Sequence, residues 1–333
     1  MSELAATTTR TPRRRSAFIS KPLFKQSFKS LFVLWLALTI GSALIFVVIN
    51  VSLGSKGLFA NIDMDGVQAY VKDENLQWFA ILGLLEKMGF SLNRIQIMSQ
   101  IDLNSILNEL IYKITGVLLP MIYVMIASNQ LIAAQVSDGS MAYILSTPTN
   151  RKTVIRTQYL FLLSSIVAMY LGIMIATVSS EWITHSIAQL SADNPTAYNP
   201  TTTLLFVAGS FCAIFGLAGI CFGASSFFNK ANHSITVGGG ACILSFLSCI
   251  LGLFGSEVFV AVGVGVKAMS FFNYFSLFTL IDNSSMSSFA KAIAGFDATI
   301  SFDWIWKLGI LLFIGGLFAY IGGRRFTRKD LPL

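Results

Sequence analysis

The chain has 333 residues, 54% of them hydrophobic and 12% charged, with a mean hydropathy of +0.70. That is about half the charge content of ordinary soluble domains, which run near 25%, so a soluble globular protein is excluded. The net charge of +7 would suit nucleic acid, but no basic stripe interleaved with exposed aromatics occurs away from the apolar segments, and the charge reads as a membrane-orientation signal.

Residues 1–17, rich in Thr, Arg, Ala and Ser, are expected to form a disordered cytoplasmic tail, with one transmembrane domain over 18–333. The stretch "SKPLFKQSFKSLF" comes next. Lys21, Lys25 and Lys29 recur every four residues beside a Phe24, Phe28 and Leu31 stripe, and Pro22 suits a first helical turn. The pattern predicts an N-terminal amphipathic helix lying in the inner interface, its lysines toward acidic lipid headgroups. An extension of the first span fits the same pattern.

A bilayer core needs about 20 apolar residues in a helix, because lipid offers no partner for backbone N–H and C=O groups. Segments 30–55, 114–137, 157–180, 194–229 and 231–256 contain no Asp, Glu, Lys or Arg, and 308–323, extended by Trp304, Ile305 and Trp306, makes a sixth span. An all-α polytopic membrane protein with six transmembrane helices follows. With both termini inside, fifteen of the 23 Lys and Arg fall on inner segments: Arg10, Arg13, Arg14, Arg15, Lys21, Lys25, Lys29, Arg151, Lys152, Arg156, Lys230, Arg324, Arg325, Arg328 and Lys329. Positive charge accumulates on cytoplasmic loops, so the topology is expected to be N-in/C-in.

An outer segment of about 56–105 follows span one, and its stretch 75–90 is helical in pattern but too short to cross. Glu109 and Lys113 lie four residues apart in the outermost turns of span two. Residues 257–303 hold two apolar pieces separated by Lys267, each too short to span. One more crossing would put the basic C-terminus outside, so broken re-entrant helices between spans five and six are expected.

Cys212, Cys221, Cys242 and Cys249 all fall inside spans and read as small packing residues, and His185 and His233 lie on opposite sides of the membrane, so no metal site is expected. Gly219 and Gly223, Gly238–Gly240, and Gly315, Ala319 and Gly323 allow close helix contact, either within the chain or between two copies. No phosphate loop, metalloprotease helix or nucleophile elbow occurs, so the chain is expected not to be an enzyme. The spans also lack the midplane charges of an ion-coupled carrier.

The most elaborate connector is "SDGSMAYILSTPTNRK", residues 137–152. Ser137 and Asp138 are good N-cap residues, with Gly139 and Ser140 in the first turn. Met141, Ile144 and Leu145 make one apolar face with Tyr143 between them, Pro148 stops the helix, and Arg151 and Lys152 open the next one. The pattern fits an interfacial helix on lipid as well as a docking element.

The order of Asp138-Gly139-Ser140, Ile144-Leu145, Ser146-Thr147-Pro148 and Arg151 resembles the first cytoplasmic loop of ABC-2 type permeases, the membrane subunits of bacterial ABC exporters. "FNYFSLFTLID" at 272–282 resembles that family's outer segment before the last span, and "FTRKDLPL" at 326–333 its tail. The long 56–105 segment departs from the short outer loop of many members. The resemblance implies a permease in the bacterial plasma membrane, working beside a second permease copy or a related permease. A pair of ABC ATPase subunits would carry the ATP and Mg. The loop of about 135–156 would couple to them through a helix at 137–147, with Asn229, Lys230 and His233 as a second cytoplasmic contact. The implied function is outward movement of a hydrophobic or amphipathic substrate such as a peptide, lipid-like molecule or drug. A non-transporting sensor or immunity protein on the same scaffold is the alternative, and an ion-coupled secondary transporter, disfavoured by the uncharged spans, is the third reading.

Overall fold

A computed structural model of the chain describes residues 19–54, 103–146, 149–189, 200–255, 260, 266–293 and 300–329. The N-terminal tail, nearly all of the 56–105 segment, Pro148 and the last four residues lie outside them. Among the described residues there are helices and no strands. Six of the helices are long and apolar enough to cross a membrane, as expected of a multi-pass membrane protein.

Helix α1 runs over Lys21–Gly54, and α2 over Leu103–Ser128. The second helix continues through a π-helical turn, Asn129–Ala133, and a last α turn, Ala134–Ser137. A short α3 at Ser140–Ser146 leads to the long α4 at Arg151–Gln189, followed by α5 at Thr201–Phe227 and α6 at Ala231–Leu253. Two 3-10 segments, Lys267–Phe275 and Leu277–Leu280, precede α7 at Asn283–Ile293 and α8 at Asp303–Arg328.

One expectation is corrected at the N-terminus. The lysine-bearing segment is not a separate interfacial helix but the first turns of α1, which runs unbroken for 34 residues. Nothing between Leu23 and Ile40 is Gly or Pro, so no residue there ends the helix. At about 1.5 Å per residue the helix is about 51 Å long, well beyond a hydrocarbon core of about 30 Å.

The core is built where small residues let backbones approach. A Cβ built on Gly219 of α5 would fall on the Gly315 carbonyl of α8, and one built on Gly315 would lie 2.6 Å from the Phe215 carbonyl oxygen. Gly322 meets Gly223 at 2.7 Å in the same construction. The glycines of spans four and six therefore pack on one another within one chain. Cys221 and Cys242 place their sulfurs 3.3 Å apart between α5 and α6, and all four cysteines are free and buried.

Helix α4 serves as a spine for α1 and α2. Trp35 donates its indole N–H to the Ser165 carbonyl at 2.9 Å, and Ser27 donates to Gln158 at 2.8 Å, both buried enough to orient α1 along α4. Pro120, inside α2, removes the N–H that the Gly116 carbonyl would otherwise accept. The buried Tyr170 hydroxyl of α4 donates to that carbonyl at 2.7 Å. In lipid the freed carbonyl has no water to turn to, so Tyr170→Phe should cost about 1–3 kcal/mol. Thermal unfolding of the purified chain in detergent checks it. In a Pro120→Ala background, where the backbone donor returns, the same substitution should cost markedly less.

The segment between α6 and α8 is broken, as expected. Its first 3-10 piece seats against Gly252 of α6 and Gly255 just beyond that helix, where any side chain would collide with Asn273 and Ser270, and the Ser245 hydroxyl of α6 accepts the Leu277 N–H at 2.8 Å. Asp282 then caps α7. Its carboxylate accepts the Ser285 N–H at 3.1 Å and the Ser284 and Ser285 hydroxyls at 2.7 and 2.8 Å, and pairs with Lys307 of α8. Burial alone would raise this carboxyl, but the Lys307 ammonium and the hydroxyl and backbone donors outweigh it and hold the pKa well below the usual carboxylate range.

A carboxyl depressed in the fold adds stability that is present above its unfolded pKa, near 3.9, and is lost as pH falls toward the folded value. The gap in unfolding temperature between the native chain and Asp282→Asn should therefore hold steady from about pH 5 to 8 and shrink below about pH 4. A gap unchanged at pH 3 would show that the Lys307 pair contributes nothing.

Candidate functional site

Hydrogen bonds gather the first and last described residues at one end of the bundle. Thr157, near the start of α4, accepts the Ser20 N–H at 3.0 Å. Arg151 donates from its guanidinium to the Lys329 carbonyl at 2.7 Å, and Lys329 donates from its ammonium to the Phe227 carbonyl at 2.6 Å. The start of α4, the end of α5 and the end of α8 are thereby stitched into one layer. The last carbonyls of a helix have no intrahelical partner, and a lysine ammonium is a favourable donor to them. Burial, with Arg325 close by, lowers the Lys329 pKa from the ordinary lysine range.

Charge is sorted in space as well as along the chain. This end carries Lys21, Lys25, Lys29, Arg151, Lys152, Arg156, Lys230, Arg324, Arg325, Arg328 and Lys329, and among the described acidic residues only Asp138 joins them. Glu181, Asp282 and Asp303 belong to the opposite end, where Glu181 accepts from Thr203 beside the start of α5.

The loop expected to bear function sits at the basic end, with its helix displaced from the expected position. Ser137 closes the last turn of α2, and the Asp138 N–H donates to the Ala134 carbonyl at 2.8 Å, so both residues end a helix instead of capping the next one. Gly139 has φ +73°, the left-handed conformation that terminates helices. The chain reverses there, and α3 begins at Ser140, three residues later than expected. The Ser140 hydroxyl reaches back to the Gln135 carbonyl at 3.2 Å, and the Thr149 hydroxyl donates to the Ile144 carbonyl at 3.0 Å. Both ends of the short helix are tied by side chains.

Its apolar face behaves as the spacing predicts. Met141 is buried, Ile144 and Leu145 are half-buried against the core, and Tyr143 points away, 78% exposed. Lys152 is exposed on the first turn of α4. Of the N-terminal residues, Phe24 packs edge-on to Phe161 at 5.3 Å, while Lys21, Lys25, Phe28 and Lys29 are exposed.

The turn between α5 and α6 meets the loop. Asn229, Lys230 and His233, together with Ala231 and Asn232, line a cleft of about 650 Å³ whose other wall is Val136 and Ser137. Residues about 95 positions apart in sequence thus form one concavity. Polar atoms cluster beside it. Gln135 Oε1 and Asn229 Oδ1 are buried without a hydrogen-bond partner, as are Ser128 Oγ at the end of α2 and Asn129 Oδ1 at the start of the π-helical turn.

That π turn is the feature the sequence did not announce. "NQLIA" has ordinary helical composition, yet the Ala134 N–H reaches the Asn129 carbonyl five residues back. The Ala133 N–H is taken up by the buried Ser225 hydroxyl of α5 at 3.0 Å. A π turn bends a helix and is frequent at functional positions. Here it stands in the turns just before the loop and is bonded to α5, the helix that leads into the 229–233 turn lining the cleft. Among the described residues no cluster of His, Cys, Asp or Glu is suited to hold a metal. No family model matches the chain, and no curated protein or solved structure matches it.

Proposed function

We propose that the chain is the membrane subunit of an ATP-driven exporter of ABC-2 type, with its basic end facing the cytoplasm of a bacterium. A separate pair of ATPase subunits would dock on α3 and on the 229–233 turn, and a second permease chain would complete the path. The observation that carries this reading is the convergence of Val136 and Ser137, where α2 hands over to the loop, with the 229–233 turn on one cleft. The basic side chains collected at that end support the orientation.

The mechanism follows from the local geometry. A push on α3 acts through Met141, which is seated in the core, through Ile144 and Leu145, which pack against it, and through the left-handed joint at Gly139. From there it reaches the π turn and, through Ser225, helix α5. Helix α5 is packed backbone to backbone on α8, so the two would move as a unit. A hydrophobic or amphipathic cargo suits spans that carry no charge between their ends.

Purification of the full chain from native membranes, with identification of whatever ATPase remains bound, tests the reading. Reconstituted with that ATPase, cargo movement should require hydrolysable nucleotide. Purification without any ATPase, or cargo binding with no nucleotide-dependent movement, would favour the sensor alternative.

A further inference from the structure

The first turns of α1 and the facing part of α4 enclose an apolar groove of about 260 Å³, lined on α1 by Phe24, Phe28, Phe32 and Trp35 and on α4 by Phe161 and Ala168. We propose that it is a binding site for one acyl chain of an anionic phospholipid, whose phosphate is held by Lys21 and Lys25. This inference rests on membrane insertion alone, and it stands or falls independently of the transport reading.

Three observations select this occupant. The first is the groove's chemistry. Its polar atoms are already engaged, since Trp35 donates to the Ser165 carbonyl, and the Ser164 and Ser165 hydroxyls donate to the Phe161 and Leu162 carbonyls at 2.9 and 2.7 Å. Nothing is left to recognise a polar ligand or a peptide backbone. The volume also falls below the roughly 300–1,000 Å³ of sites for drug-sized ligands, which suits a single chain.

The second is length. From Phe24 to Trp35 the helix rises about 16 Å, close to half of a hydrocarbon core of about 30 Å. The groove is one leaflet deep, and it begins at the basic end of the bundle.

The third is charge placement. Lys21, Lys25, Phe28 and Phe32 follow one another at i, i+4, i+7 and i+11, a single face of the helix. The two lysines are exposed in the turns that precede Phe28 on that face, while Phe28 and Phe32, 47% and 37% exposed, leave the flank of the groove open to the surroundings. Cations at the headgroup level above an aromatic slot complement a phosphate with its acyl chain.

The full chain, purified in detergent and titrated with phosphatidylglycerol or phosphatidylcholine, can be read by native mass spectrometry as lipids retained per chain. The native chain should retain one phosphatidylglycerol in preference to phosphatidylcholine. Lys21→Gln with Lys25→Gln should erase that preference, at roughly 5-fold per lysine. Ala168→Trp, which fills the groove from an exposed position, should remove retention of both lipids. Equal retention of the two lipids by the native chain, or a preference that survives the double glutamine change, would overturn the assignment. Ala168→Trp that splits a dimer without altering lipid retention would assign the groove to a second copy of the chain and overturn it too. Because the lysines are exposed, the double variant decides the question even if the tryptophan variant does not fold.

Discussion

Replacing Gly219 by Val should be the most damaging single change in the membrane core, costing about 3 kcal/mol or more. The reason is the identity of the obstructing atoms. A Cβ at this position meets the Gly315 carbonyl and its Cα, which are backbone and cannot rotate aside. Relief therefore requires α5 and α8 to separate, which undoes the contacts that Gly223 and Gly322 make further along the same seam. Gly316 supplies the control, since a Cβ there has nothing within 4 Å, and it lies one residue from Gly315 on the same helix. Gly316→Ala should be neutral or stabilising by about 0.5–1 kcal/mol, because Gly is the weaker helix former. Thermal unfolding of the three purified proteins in one detergent measures the contrast. A Gly219→Val protein as stable as the Gly316→Ala control would mean that the α5–α8 seam is not close-packed.

The same seam shows how far the sequence could be read. The small-residue spacing announced a close helix approach, but spacing does not say which helices approach, and contacts within the chain and between copies fit it equally. The partner of Gly219 is 96 residues away, and only tertiary packing selects it. The spans themselves were legible because their exclusion of charge is a bulk property, insensitive to which face packs where. The Asp282–Lys307 pair was not legible, since 25 residues and a helix end separate its members, although an aspartate followed by two serines, at 282, 284 and 285, is a readable capping signal.

At the loop, composition was read correctly and register was not. Ser137 and Asp138 are strong N-cap types, and the expectation placed the helix start on them. The competing preference was that of Gly139 for φ above zero, which converts the same residues into the end of the preceding helix. The apolar face of Met141, Ile144 and Leu145 was unaffected by that shift, because it depends on spacing within α3 alone. The π turn left no trace in composition. It is set by which residue reaches Ser225, a contact across 92 positions.

The joint at Gly139 is where the proposed coupling is most exposed to test. A Cβ added there meets nothing within 4 Å, so a substitution acts through backbone conformation alone. Val is β-branched and tolerates φ +73° poorly, at a cost of roughly 1–2 kcal/mol or more, and Gly139→Val should re-aim α3 away from its seat. Asn accepts the left-handed conformation better than most residues, so Gly139→Asn should keep the joint. Leu145→Asp attacks the other end of the same lever by placing a charge against the core cluster. With the cognate ATPase bound and the complex reconstituted in vesicles, Gly139→Val and Leu145→Asp should lower the cargo moved per ATP hydrolysed by about 10-fold or more, the factor that 1.4 kcal/mol sets. Hydrolysis itself should continue, and Gly139→Asn should stay close to the native chain. If Val and Asn behave alike at 139, the left-handed joint is not part of the lever. If Leu145→Asp leaves the transport ratio unchanged, α3 is not the contact through which motion enters the membrane.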